Sequence, residues 1–154
     1  MLNVDTSALT GMYAMFANCK NVTSIVFNII DTSSCSEFGH MFAECSKLAN
    51  IDVSGFDTSK SIEFEGTFMG CSSLTKLDLS KWNVSESDTF IDMFNGCSSL
   101  KTLNLSGWSF KSIADVRDMF KNCSKLTTII AKGCDSNTIA KIKSVAPQGC
   151  LVIQ

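Results

Sequence analysis

The sequence predicts an α/β solenoid built from tandem 26-residue units, and three observations predict it. Cys19, Cys45, Cys71, Cys97 and Cys123 stand at a constant interval of 26. Their neighbours keep the same register: MFANC, MFAEC, TFMGC, MFNGC and MFKNC lead into the cysteines, and Val22, Leu48, Leu74, Leu100 and Leu126 follow three places later. Inside each unit a helical spacing of apolar residues gives way to a strand spacing. Self-similarity at a period of this size marks stacked repeats, in which each unit buries its apolar edge against the next.

The elements follow in chain order. Upstream of each cysteine, apolar residues fall at i, i+3, i+4 and i+7, as in Met12, Met15, Phe16 and Cys19, or Phe90, Met93, Phe94 and Cys97. That spacing lines one face of a helix of about two turns. Downstream, Leu77-Asp78-Leu79 and Leu103-Asn104-Leu105 alternate as a short half-buried strand does. Clusters such as Asp31-Thr32-Ser33, Asp57-Thr58-Ser59 and Asn83-Val84-Ser85 then turn the chain, because Asp, Asn and Ser side chains bond nearby backbone amides and can cap a following helix. Stacking places equivalent strands about 4.8 Å apart in one parallel sheet, with the short helices on the opposite side. Columns such as Ile25, Ile51, Leu77, Leu103 and Ile129, or Ile30, Phe56, Trp82, Trp108 and Cys134, fill the space between.

Residues 1–134 form this array, its first unit partial, and residues 135–154 form a C-terminal capping helix and strand. The cap reads as a helix over 136–145, with Ser136 or Asn137 at its start and Pro147 beyond its end, and a strand over Cys150-Leu151-Val152-Ile153. Val4 falls at the Ile30 position, so the chain opens in mid-unit. Truncation of a longer array is the expected cause; the alternative is an uncapped N-terminal edge used for end-to-end self-association.

Composition bounds the function. A hydrophobic fraction of 45% with 18% charged residues excludes a disordered chain, and a net charge of −2 gives no reason to expect nucleic acid. No apolar run approaches the roughly 20 residues of a spanning helix, so membrane insertion of this segment is not expected. The opening MLNVDTSALTG shows neither the basic start nor the apolar stretch of a signal peptide.

Catalysis is poorly supplied. The one histidine, His40, reads as a surface residue, and its five-residue spacing from Cys35 is no evidence of a nucleophile and base. No phosphate-binding loop, nucleophile elbow or zinc-protease motif is present, and no catalytic residue, metal site or cofactor is expected. The five column cysteines read as small apolar packing residues rather than ligands, since metal sites favour close pairs. Cys134 and Cys150 flank the terminal helix, and a disulfide between them is an alternative to two separate thiols.

The strand face offers more. Its outward positions differ from unit to unit while the inward ones barely change. Asn50, Asp52, Lys76, Asp78, Thr102 and Asn104 are therefore the candidate ligand-binding residues, on the extended surface that repeat proteins use for recognition. The alternative is a structural spacer, or an array assembling end to end, with no ligand on that face. The sequons at Asn21, Asn83, Asn104 and Asn122 matter only if the chain passes through a eukaryotic secretory pathway.

The segments TFMGCSSLTKLDLSKW and MFNGCSSLKTLNLSGW carry an LxxLxL core like that of a leucine-rich repeat, and the full motif closely resembles the BspA-like leucine-rich-repeat surface proteins of bacteria and some unicellular parasites. The resemblance covers residues 4 to 134. It implies a leucine-rich-repeat solenoid on the cell surface or secreted, a non-enzymatic binding or adhesion role, and an extracellular protein or glycan as ligand. The sequence departs from many leucine-rich repeats where Trp82 and Trp108 stand in place of a conserved-type Asn after the strand, so apolar stacking must define that turn.

Overall fold

The computed structural model describes residue 6, residues 8–27 and residues 30–154; the expectation for Val4 lies outside them. Apolar residues flanked by polar ones form strands of two or three residues: β1 (Ser24–Ile25), β2 (Asn50–Ile51), β3 (Lys76–Asp78), β4 (Thr102–Asn104) and β5 (Thr128–Ile130). All pairings are parallel, and their register is that of the sequence repeat: Ser24 faces Asn50, Leu77 faces Leu103, and Leu103 faces Ile129. Leu77 and Leu103 point into the core while Lys76 and Asp78 point out, as the two-residue period of a strand requires. The strands stop early because the next polar side chain folds back on the backbone. Asp52, Asp78 and Asn104 accept from the N–H groups of Ser54, Ser80 and Ser106 at 2.9, 2.9 and 3.1 Å.

The expected single sheet is divided. β1 and β2 form one sheet, β3, β4, β5 and a final strand β6 (Leu151–Ile153) another. The division falls between the unit that carries Phe56 and the units that carry Trp82 and Trp108 at the same place in the column.

The expected helices on the opposite side are not formed. Among the described residues the one helix is α1 (Ser136–Val145). The segments before the cysteines are instead spirals of tight turns, and two facts explain why. Alternate N–H groups bond to the next unit rather than within their own: Phe42 to Thr67 O at 2.9 Å, Phe68 to Met93 O at 2.9 Å, Phe94 to Met119 O at 3.0 Å. The intervening N–H groups reach three residues back, as Ala43 does to His40 O and Cys45 to Phe42 O, which is the closure of a β-turn and not the four-residue closure of an α-helix. Two residues in each unit also take left-handed backbone, among them His40 and Glu44, Gly66 and Gly70, and Asp92 and Gly96, which no run of α-helix tolerates.

These spirals bury the face that the spacing marks. Phe38, Met41, Phe42 and Cys45 are fully buried, as are Phe90, Met93, Phe94 and Cys97. Phe16, Phe42, Phe68, Phe94 and Phe120 stack in one file with ring centroids 5.6, 5.3, 5.8 and 5.7 Å apart. Beyond the last turn spiral, α1 adds Ile139 and Ile142 to the core. Its cap is Asp135, not Ser136 or Asn137: the Asp135 side chain accepts from Thr138 N–H, and its extended backbone leaves Ser136 as the first helical residue. β6 then pairs with β5, Thr128 opposite Leu151.

Candidate functional site

The strands present two outward columns, set by their two-residue period. One carries Asn50, Lys76 and Thr102, the other Val26, Asp52, Asp78, Asn104 and Ile130. They border an open groove of about 730 Å³. All six residues selected from the sequence, Asn50, Asp52, Lys76, Asp78, Thr102 and Asn104, line it.

Sequence reasoning missed two parts of this groove. Ser54, Ser80 and Lys81 join its rim, and their position directly after the strands was the available signal. Its lining also includes Ile25, Ile51 and Leu77, which pack toward the core as the alternation requires. Ile25 and Ile51 are only partly buried, and Ile51 lies in β2, beside the division from β3.

The groove is charged. The Ser54 hydroxyl and N–H hold the Asp52 carboxyl below its usual range against the opposing charge of Asp78. The Ser80 N–H and hydroxyl do the same for Asp78, helped by the Asn104 amide, whose Nδ2 donates to Asp78 Oδ2 at 3.1 Å, and by Lys81. Both carboxyls are therefore anions at neutral pH. The arrangement supplies hydrogen-bond acceptors, two carboxylates and lysine ammonium groups on an open face, which suits it to holding a ligand. Among the described residues, no group of three or more His, Cys, Asp or Glu side chains is placed to hold a metal ion.

The cysteines serve another purpose. Cys45, Cys71, Cys97 and Cys123 each donate from Sγ to the carbonyl of a phenylalanine in the preceding unit, Phe16, Phe42, Phe68 and Phe94, at 3.0–3.1 Å. Burial pushes their thiols up, that of Cys123 to about 11, so they are poor nucleophiles. The Cys134–Cys150 disulfide is not formed; all eight thiols are free. Cys134 is instead the continuation of the tryptophan column. Trp82 and Trp108 donate from Nε1 to Val53 O and Leu79 O at 3.0 Å, and Cys134 donates from Sγ to Leu105 O at 3.2 Å.

His40 is half-buried rather than simply exposed. It takes left-handed backbone, meets Tyr13 edge-on at 5.6 Å, and lies 3.8 Å from Glu65. Cys35 is fully buried and donates to Leu9 O at 3.2 Å, so its hydrogen bond goes to backbone and not to a base. Nearby, burial raises the Glu63 carboxyl, with Glu37 and Glu65 adding to the effect and His40 opposing it.

The fold and groove together define a repeat protein of the α/β class: stacked 26-residue units joined by parallel strands on one side and turn ladders on the other, with a varied polar face over a repeated apolar core. Within that class the chain belongs to the family described as "Mycoplasma protein of unknown function, DUF285", whose model matches residues 10–133. No curated protein and no solved structure matches the chain.

Proposed function

We infer that the chain is a leucine-rich-repeat type solenoid that acts as a binding or adhesion module, without catalysis, and that its strand-face groove takes a protein or glycan ligand. One observation carries this reading: the outward residues that vary between units converge on a single groove of about 730 Å³, while the inward residues repeat. Stacking explains the repeated columns and the turn bonds of Asp52 and Asp78 to Ser54 and Ser80, but not the change from Asn50 to Lys76 to Thr102 at one outward position. The likeness of MFNGCSSLKTLNLSGW and TFMGCSSLTKLDLSKW to BspA-like repeats supports a cell-surface or secreted setting and an extracellular partner.

The test replaces Asp52, Lys76, Asp78 and Asn104 together and measures attachment to cells or matrix. Loss of attachment with the fold intact supports the reading. Unchanged attachment removes it and leaves the spacer reading, which the continuous turn ladder favours because its backbone bonds couple each unit to the next.

A further inference from the structure

We propose that β6 pairs antiparallel with β6 of a second copy of this chain, so that the sheet continues across a two-fold axis at Val152. The contact lies outside the groove and is independent of the binding reading above.

Three observations converge on that partner. The first is a free edge. Among the described residues β6 is the outermost strand of its sheet and pairs with β5 alone. The Leu151 N–H donates to Thr127 O at 2.8 Å, and Ile153 O accepts from the Ala131 N–H at 2.7 Å. Residues 151 and 153 thus direct their backbone to β5, and by alternation the N–H and C=O of Val152 face away from the sheet. The second is composition. The outward places that hold Asn50 and Asp52, Lys76 and Asp78, and Thr102 and Asn104 in earlier units hold Leu151 and Ile153 here, with Ile130 opposite Ile153. Leu151 is 60% exposed. Lysine, proline or a bulge blunts the edges of sheets that stay single; β6 consists of Leu, Val and Ile in unbroken register with β5.

The third is self-complementarity. With Val152 opposite the partner's Val152, each N–H donates to the other's C=O. The same register sets Leu151 opposite the partner's Ile153 twice over, two apolar cross-strand pairs on the outward face. The edge does not fit β1 of a second copy in the same way. β1 has two residues and turns Ser24 outward. Between β5 and β6 the chain forms α1 where it forms a turn spiral between the other strands. A head-to-tail copy would therefore bring the carbonyls of Gly11, Tyr13, Met15 and Ala17, which receive no N–H among the described residues, against α1. Past its first turn a helix bonds its own N–H groups, so the turn ladder would stop there.

The experiment is sedimentation equilibrium of the full chain from micromolar to millimolar concentration, read beside NMR of the same samples. The expected result is a monomer–dimer equilibrium in which exchange of the Val152 amide slows as the dimer fills. In a sample mixing two isotope labels, methyl contacts should join Leu151 of one copy to the partner's Ile153. The variant Leu151→Lys with Ile153→Lys, altered only on the outward face, should dimerise at least a hundredfold more weakly. A monomer at every concentration, Val152 exchange that ignores concentration, contacts between Leu151 and the partner's Leu151, or growth beyond a dimer overturns the proposal. So does a lysine variant that dimerises as the parent does. Should that variant fail to fold, Leu151→Thr decides, because Thr128 holds the opposite place in β5: dimerisation must weaken at least tenfold, and an unchanged strength overturns the proposal. Sedimentation reads association and not attachment, so its failure leaves the groove reading standing.

Discussion

At the scale of single residues, the repeat converts polar atoms into connectors between units. Cys45, Cys71, Cys97 and Cys123 each spend the S–H on a phenylalanine carbonyl of the unit before. Sequence spacing identified these residues as packing but could not show the bond, because a thiol that donates and one that merely fills space look alike in a motif. The consequence is measurable. With an aromatic disulfide reagent near pH 8, Cys35, Cys45, Cys71, Cys97 and Cys123, all buried, should label far more slowly than Cys19, Cys134 and Cys150, and all should label together in denaturant. Fast labelling of Cys97 in the native protein would contradict its place in the core.

Charged residues separate in the same way. Asp52, Asp57, Asp78, Asp115 and Asp135 have carboxyls held low by hydrogen bonds from the residues that follow them. A depressed folded value means that the native state binds fewer protons. Their contribution is thus present above the unfolded value of about 3.9 and lost as pH falls through the folded one. Glu63 has the opposite sign: its raised carboxyl favours the native state at low pH and opposes it once ionised. Glu63→Gln is therefore expected to raise the urea midpoint at pH 7 and to lose that advantage near pH 4. An equal gain at both values would point to packing instead of charge.

At the scale of elements, the core face was legible and the element type was not. Apolar residues at i, i+3, i+4 and i+7 face one way on a helix, but a spiral of turns with two inward residues in every four gives the same list. What distinguishes the two is the destination of the N–H groups, and here half of them leave for the next unit. A weaker signal was present: Gly66, Gly70 and Gly96, with Asp92, Asp118 and Asn122, occupy the left-handed positions, and these residue types accept that backbone most readily. Gly96→Ala discriminates between the two structures. In a helix the change would stabilise by about 1 kcal/mol. At φ 79° it is expected to destabilise by about 1–2 kcal/mol, read from chemical denaturation. The strands and α1 were readable because their signals are local, an alternating triplet in one case and an amphipathic run with Pro147 beyond it in the other.

The phenylalanine file belongs to this scale too. Phe68 stacks between Phe42 and Phe94 and touches Trp82, so Phe68→Ala should cost about 3–5 kcal/mol in a urea melt. A cost below about 1 kcal/mol would mean that the file does not carry the stack.

At the scale of the whole molecule, one repeat generates two surfaces of different character. The turn side presents its backbone ladder and the half-buried His40 against the exposed Tyr13; the strand side presents the groove. The groove residues could be selected from sequence because variation between units, set against a constant core, marks positions that stacking does not dictate. Ile25, Ile51 and Leu77 could not, because the alternation assigns those positions to the core. The claim on which the account turns is that recognition belongs to the strand side. The measurement that tests it compares attachment of two folded variants, one altered at Asp52, Lys76, Asp78 and Asn104, the other at Tyr13, His40 and Glu65 on the turn side. The account predicts that the first loses attachment and the second keeps it; loss confined to the second would contradict it.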